Sequence, residues 1–409
     1  MSQKFRFAII DDDRLNGIHI AKVLEKQDHV VTLYQESPAA LQAILESPPD
    51  AVITDIMMPD LDGLELTQRL RAQPDLRDMK IFVCSGKAFD YDRRTALEMG
   101  ADAYIQKPVK GPALLEIIDR IMEDKVRVKF WGVRGTLPRP GPDTLKYGGN
   151  TSCVTMDFPK GQTFIFDAGS GIKAVGDKIM TSGQKRSEGK IFISHPHWDH
   201  INALPFFTPL YIPGNDYEII GPAHGSRTIE RLVSDQMDGA YFPITVREFG
   251  ARISYRDLRE GRHEINGIQV DAMLLSHPGQ CLGYRVTYKE RSICYITDNE
   301  MFDPYSDYRS ENYASRLADF IRGTDVLITD TTYTDEEYAS KIGWGHSSVS
   351  QVVDLAIQGE VKNLYLFHHD PDQNDDAIAA KYETARAMLD ERAFGVACHL
   401  PPEGTELAI

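Results

Sequence analysis

Four potential metal ligands stand within six residues at His195-Pro196-His197-Trp198-Asp199-His200, directly after the apolar run 190–194. On an extended or tightly turned loop, His195 and His197 can face one centre while Asp199 and His200 face another. Imidazole nitrogen with carboxylate oxygen is a donor set suited to Zn²⁺, Fe²⁺ or Mn²⁺. Three further donors close later apolar runs: His277 after 270–276, Asp298 after 292–297 and His368 after 363–367. A lone histidine at a strand end is ordinarily a hydrogen-bonded structural residue. Two adjacent cations, however, need roughly eight ligand positions, and a carboxylate such as Asp298 can bridge them. His369 offers the same chemistry one residue on; His368 is preferred because it directly follows the apolar run.

A second set lies in the first 124 residues. Asp11 and Asp12 follow the first apolar run, Asp55 the third, Ser85 the fourth and Lys107-Pro108 the fifth. Three carboxylates at one edge repel one another and call for a hard cation, and Mg²⁺ fits with its preference for oxygen. An aspartate beside Mg²⁺, a hydroxyl and a lysine can accept a phosphoryl group as an acyl phosphate. The cation and the lysine would neutralise the transferring oxygens.

Elements must position these groups. Apolar runs at 4–10, 30–34, 51–54, 80–84 and 103–105 alternate with amphipathic stretches such as 14–26. This is the (βα)5 rhythm of a doubly wound parallel sheet, whose chemistry gathers at the carboxyl ends of the strands. A new strand-like run opens at 126–131 with no Pro/Gly/Ser-rich spacer before it. The expectation is therefore an α/β protein of two domains, 1–124 and 125–409, held close by a helix continuing across the boundary.

Composition limits the rest. A chain of 409 residues exceeds one ordinary domain, and its 42% hydrophobic content is enough for full cores. No apolar run approaches the ~20 residues of a membrane span, and the N-terminus lacks the features of a signal peptide. The five cysteines are scattered without CxxC spacing, which argues against a disulfide framework or zinc ribbon and for a reducing cytoplasm. The formal charge of −16 disfavours a large nucleic acid, whose binding rests on many Lys and Arg contacts. A small anionic substrate is compatible with it.

The motifs IIDDD, ITDIMMPDLDG, VCSG and YIQKP resemble the response-regulator receiver family over nearly all of 4–123. That resemblance implies Asp55 as phosphoacceptor, Asp11 and Asp12 as holders of Mg²⁺, and Ser85 and Lys107 in contact with the phosphoryl group. It also implies Tyr104 as an aromatic switch residue and a sensor histidine kinase as phosphodonor. HPHWDH, with FDAGSG at 166–171, resembles the metallo-β-lactamase superfamily over essentially 126–399. The implied fold is an αββα sandwich. The implied ligands are His195, His197 and His277 for one metal, Asp199, His200 and His368 for the second, and Asp298 as bridge.

Trp344-Gly345-His346-Ser347-Ser348 resembles the additional histidine motif of that superfamily's phosphodiesterase branch, which includes tRNase Z and cyclic phosphodiesterases. So does the opening segment 130–134 with YGGNTS at 147–152. His346 is then expected to stabilise developing charge or to protonate a leaving alkoxide. The plainer reading places it beside a helix N-cap at Ser347 or Ser348 before 349–357, and both can hold together. The expected chemistry is hydrolysis of a small or cyclic, nucleotide-like phosphodiester under control of Asp55 phosphorylation. Paired cations would lower the pKa of a water, Asp199 would orient it or take its proton, and His346 would assist the departing oxygen. Zn²⁺ leads for this site, with Mn²⁺ or Fe²⁺ as alternatives, and a homodimer is compatible. The competing readings are a lactone or thioester hydrolase and a non-catalytic, phosphorylation-dependent output module. A long insert at 205–250 carries mixed charges and aromatics rather than a basic arm for tRNA, and His19, His29, His224, His263 and His399 read as structural or surface residues.

Overall fold

The computed structural model describes residues 4–86, 90–182, 186–302, 312–392 and 395–409. They form two compact units: Met1–Lys125 with Phe158–Gly161, and Val126–Asp157 with Gln162–Ile409. In the first, β1 (Arg6–Ile10), β2 (Val30–Tyr34), β3 (Ala51–Asp55), β4 (Lys80–Ser85) and β5 (Ala103–Gln106) are parallel in the order β2-β1-β3-β4-β5. Both faces of the sheet are buried under helices. Ile10, Val52 and Ile81 pack with Leu66 and Leu70 on one side, while Phe7, Ile53 and Phe82 pack with Leu24 and Ile118 on the other. Strand order reverses between β1 and β3, so the crevice at their carboxyl ends receives Asp11 and Asp55. Gly63 begins the helix Gly63–Arg71, and a Cβ there would lie 2.0 Å from the carbonyl oxygen of Asp55. Only glycine allows that approach.

The helix Gly111–Glu123 stops at Asp124, which is left-handed (φ 53°), and β6 begins at Arg127. The expected helix across the boundary is therefore not formed: a left-handed residue cannot continue a right-handed helix.

The second unit holds two seven-stranded sheets. One comprises β6 (Arg127–Gly132), β7 (Cys153–Asp157), β8 (Thr163–Phe166), β9 (Glu188–Phe192), β10 (Asp216–Pro222) and β11 (Arg252–Leu258). The other comprises β12 (Gly261–Ile265), β13 (Ile268–Leu274), β14 (Leu282–Tyr288), β15 (Arg291–Ile296), β16 (Val326–Asp330), β17 (Asn363–Phe367) and β18 (Ala397–His399). The chain then returns as β19 (Glu406–Ala408) to pair with β6 in the first sheet. In each sheet antiparallel pairs give way to a parallel series, β8 to β11 and β15 to β18. Aromatic rings from both sheets meet between them, with Phe192 and Tyr284 centroids 5.4 Å apart and Phe166 and Tyr295 5.5 Å apart. Helices Ile172–Thr181 and Ile229–Asp235 pack on the first sheet, and Tyr313–Ile321, Val349–Gln358 and Asp375–Glu391 on the second. The result is an αββα sandwich.

The segment 205–250 is not simply an insert. It contains β10, which lies inside the first sheet between β9 and β11. Among the described residues, no helix is long and apolar enough to cross a membrane.

Candidate functional site

In the first unit, one carboxylate oxygen from each of Asp11, Asp12 and Asp55 lies within 4.8 Å of the others. Lys107 Nζ donates to Asp11 Oδ2 (2.8 Å) and to Asp55 Oδ2 (2.7 Å). Burial raises the Asp11 pKa, and the Lys107 ammonium only partly reverses this. Burial also pushes Lys107 down, but its two carboxylate partners carry it above the usual lysine value. One ammonium shared among three carboxylates leaves surplus negative charge, which suits a hard cation. Ser85 is buried at the end of β4, and its carbonyl accepts from the Lys107 amide (2.8 Å). Tyr104, half-buried on the neighbouring β5, hydrogen-bonds the Ser85 side chain.

In the second unit the carboxyl ends of β8, β9, β13, β15, β16 and β17 converge. His195, His197, His277 and Asp298 offer donor atoms within 4.8 Å of one another, and so do Asp199, His200, His368 and Asp298. Asp298 belongs to both sets. Its Oδ2 lies 3.5 Å from His195 Nε2 and 3.7 Å from His277 Nε2, while Oδ1 lies 3.1 Å from His200 Nε2 and 3.0 Å from His368 Nε2. Asp199 Oδ2 is 3.0 Å from His200 Nε2 and accepts from the Thr136 amide at 2.8 Å.

Four of the five rings, all but that of His197, are aimed by a bond on the side away from the cluster. His200 Nδ1 pairs with Asp167 Oδ2 (2.8 Å), His195 Nδ1 with Ser194 Oγ (3.1 Å), His277 Nδ1 with the Gly345 carbonyl (2.9 Å) and His368 Nδ1 with Thr332 Oγ1 (3.1 Å). Outer bonds of this kind fix tautomer and ring orientation in metal sites. Two backbone approaches close the cluster. A Cβ on Gly135 would lie 2.2 Å from the His368 ring, and one on Gly345 (φ 87°) 2.3 Å from His277 Nδ1.

The residues fit cations. His195 Nε2 is buried with no hydrogen-bond partner, which is costly unless something else engages it, and His200 Nε2 faces only the Asp199 and Asp298 carboxylates. Burial holds His195, His197 and His277 below the usual histidine pKa, in the neutral form that ligates. Burial opposes charge on His200 as well, yet Asp199, Asp298 and Asp167 raise it well above the ordinary value. That excess of carboxylate is what a divalent ion would neutralise. The donor set, imidazole with carboxylate, suits Zn²⁺, Mn²⁺ or Fe²⁺.

His346 stands against this cluster, its ring stacked on His368 (5.0 Å) and 5.4 Å from His277. Its Nδ1 donates to Asp330 Oδ2 at 2.8 Å. The cap reading holds too: helix Val349–Gln358 follows Ser348, whose amide donates to Gln351 Oε1 (3.0 Å). His369 is buried outside the cluster, near Arg134 and Lys381. Of the other histidines, His19 and His263 face backbone carbonyls, His29 packs on Phe7, His399 stacks on Tyr365 and His224 pairs with Arg227 through the backbone. Sequence reasoning passed over Asp167, Asp330 and Glu300. Asp330 closes the apolar run VLITD as Asp298 closes SICYITD, and that shared pattern was the available signal.

The family model described as the beta-lactamase superfamily domain matches residues 163–369, and the response regulator receiver domain model matches 7–119. The chain belongs to the beta-lactamase superfamily, with a response-regulator receiver domain N-terminal to that fold. Response regulator MprA of Mycobacterium sp. (strain KMS) is 35% identical over 139 residues, 34% of this chain and 55% of that protein. The chain thus spans about half the length of the curated relatives it matches. Among solved structures, the metallo-beta-lactamase fold protein YhfI from Bacillus subtilis is 17% identical, covering 70% of this chain and 100% of its own, with a TM-score of 0.48. A diphosphatase of the PhnP family is 18% identical, covering 70% and 97%, also at 0.48.

Proposed function

We propose that the chain is a two-component response regulator whose output is a dinuclear-metal phosphodiesterase, acting on a small or cyclic, nucleotide-like diester under control of Asp55 phosphorylation. The observation that carries this reading is Asp298, facing a different histidine set with each oxygen, while the His346–Asp330 pair stands against the second set. On this reading His195, His197 and His277 hold one cation, Asp199, His200 and His368 the other, and Asp298 both. Zn²⁺ is the first choice, with Mn²⁺ or Fe²⁺ as alternatives.

Bound there, the cations supply Lewis acidity towards a phosphoryl oxygen and make water more acidic. Everything else falls to the chain. Asp199, gripped by the Thr136 amide, is fixed to orient water or accept its proton. His346, held as imidazolium by Asp330, donates its Nε2 proton to the departing alkoxide. In the receiver, Asp11 and Asp12 hold Mg²⁺ and Asp55 accepts the phosphoryl group from a sensor histidine kinase. Ser85 and Lys107 bind the phosphoryl oxygens, and Tyr104, bonded to Ser85, follows their state.

A turnover screen of cyclic mono- and dinucleotides and bis(p-nitrophenyl) phosphate with metal-loaded protein tests the reading. Metal-dependent hydrolysis is expected, with His346→Ala losing most of it while keeping two metals per chain. Full metal content without turnover of any diester, in either phosphorylation state, would leave only a binding module. A lactone or thioester hydrolysed equally well by His346→Ala would point to that other class.

A further inference from the structure

One hydroxyl stands between a candidate ligand and the His346–Asp330 pair. Thr332 follows β16 by two residues and is buried. Its Oγ1 lies 2.6 Å from Asp330 Oδ1, 2.7 Å from the His368 carbonyl and 3.1 Å from His368 Nδ1. A hydroxyl has one proton to give and two lone pairs to offer. Two acceptors compete for the proton, and the ionised Asp330 carboxylate makes the stronger bond. A lone pair then remains to accept from His368 Nδ1–H. That tautomer leaves the Nε2 lone pair facing Asp298 and Asp199, at 3.0 and 3.2 Å, as a ligand to a shared cation requires.

The Asp330 carboxylate is engaged through both oxygens. Oδ1 accepts from the Thr332 amide (3.0 Å) as well as the hydroxyl, and Oδ2 from the Asn299 amide (3.0 Å) and His346 Nδ1 (2.8 Å). An unbroken series of hydrogen bonds therefore runs from His368 through Thr332 and Asp330 to His346, and all four residues are buried. Thr332 is itself pinned from behind. Its carbonyl accepts from Gln373 Nε2 (3.0 Å) and from Lys381 Nζ (3.1 Å). The Lys381 ammonium, fully buried, also donates to the Thr331 carbonyl and to Gln373 Oε1 (2.8 Å). On a backbone held this firmly, a β-branched side chain has little freedom to turn its oxygen elsewhere.

We propose that Thr332 is a positioning residue for both halves of the site. Its oxygen fixes His368 in the ligating tautomer, and its proton fixes the carboxylate that holds His346. The second half rests on the phosphodiesterase reading, in which His346 meets the departing oxygen.

The test uses the full chain loaded with Zn²⁺. Thr332→Val keeps the shape and removes the hydroxyl, whereas Thr332→Ser keeps the hydroxyl. Thr332→Ala, which removes the oxygen and puts no methyl in its place, serves if the valine variant does not fold. Chelator competition should show one Zn²⁺ held about 10–100-fold more weakly in Thr332→Val, with Thr332→Ser close to the parent. The downfield proton resonance of His346 Nδ1–H, identified by its absence in His346→Ala, should shift in Thr332→Val and return in Thr332→Ser. At saturating Zn²⁺, kcat for bis(p-nitrophenyl) phosphate should fall in Thr332→Val with KM little changed, and recover in Thr332→Ser. Unchanged Zn²⁺ affinity or an unmoved resonance on losing the hydroxyl overturns the proposal. So does a serine variant no better than the valine one, because the methyl and not the hydroxyl is then what the site needs. If the parent hydrolyses no diester while affinity and resonance follow the hydroxyl, the diester reading fails and the positioning role stands. If the parent hydrolyses the diester and all the Thr332 variants match it, the positioning role fails and the diester reading stands.

Discussion

His346 and Asp330 share a 2.8 Å hydrogen bond in a place where both are buried. Burial alone would push the imidazolium down, but the Asp330 carboxylate more than offsets it and carries the pKa from 6.5 up to about 9. With the folded pKa raised, the stabilisation from this pair is complete below about 6.5 and is lost as pH rises through about 9. Cations in the cluster oppose a further positive charge, so in the loaded protein the loss should come at lower pH. The kcat for a diester should therefore fall on the alkaline side as His346 gives up its proton. In Asp330→Asn the largest opposition to burial is lost and only the weaker pull of Asp298 and Asp199 remains, so the alkaline limb should move to lower pH and kcat at neutral pH should drop by roughly 10²–10⁴-fold. A pH–kcat profile of both proteins decides this, and a limb that stays in place removes His346 from proton donation. Asp167 is a second single-residue case. Its carboxylate accepts from the Ser194 amide (2.7 Å) and Tyr295 hydroxyl (2.8 Å) and pairs with His200 Nδ1 (2.8 Å), all fully buried. Asp167→Ala should weaken the cation held by His200 by about 10–100-fold, measured by chelator competition on the folded protein. An unchanged affinity would mean that His200 needs no such partner.

Asp298, Asn299 and Glu300, which follow β15 and Thr297, tie several elements to the site. Asp298 joins the two ligand sets, the Asn299 amide donates to Asp330 Oδ2 (3.0 Å), and the Asn299 carbonyl accepts from Ser347 Oγ (2.5 Å). Glu300 then accepts from the amides of Gly343 and Gly345, both at 2.7 Å, and from the Tyr338 hydroxyl (2.9 Å). Because the Gly345 carbonyl orients His277, Glu300 holds one ligand and His346 through the same turn. Glu300→Ala should cost about 1–3 kcal/mol for each amide left stranded, read by urea unfolding, and should loosen the cation on the His277 side. A variant as stable as the parent would show that water satisfies those amides. Much of this frame was legible in the chain: His195, His277, Asp298 and His368 each follow an apolar run, and the five-strand rhythm before residue 124 stands out by its alternation. β10 was not, because DYEIIGP has charge at its head and Gly-Pro at its tail, and only its neighbours β9 and β11 make it a strand. Asp167, Asp330 and Glu300 were illegible as partners for a different reason. Single carboxylates have no spacing signature, and apart from the Thr332 bonds to Asp330 their partners lie between 16 and 128 positions away.

The two candidate cation sites lie in different units and differ in donor chemistry. Asp11, Asp12 and Asp55 offer oxygen alone, which favours Mg²⁺, whereas the HPHWDH cluster is rich in imidazole, which favours Zn²⁺ and its neighbours. A ligand that binds only the folded form raises stability by about 2.7 kcal/mol at a hundredfold excess over its Kd. For a unit the size of the receiver that corresponds to roughly 10 °C in Tm. Scanning calorimetry of the full chain should therefore show two transitions that answer to different reagents. Mg²⁺ with beryllium fluoride should raise the receiver's transition, and Asp55→Asn should abolish the beryllium fluoride increment. A chelator selective for transition metals, such as 1,10-phenanthroline, should lower the other transition and leave the receiver's in place. If phenanthroline moved the receiver's transition alone, the assignment of cations to the two sites would be reversed. The same samples address control. Because an acyl phosphate adds charge and hydrogen-bond acceptors at Asp55, it biases whichever state of the receiver the Ser85–Tyr104 bond belongs to. Turnover of a diester should then change on adding beryllium fluoride and Mg²⁺ to the parent and not to Asp55→Asn; identical kinetics in the two would separate the receiver from the hydrolase it accompanies.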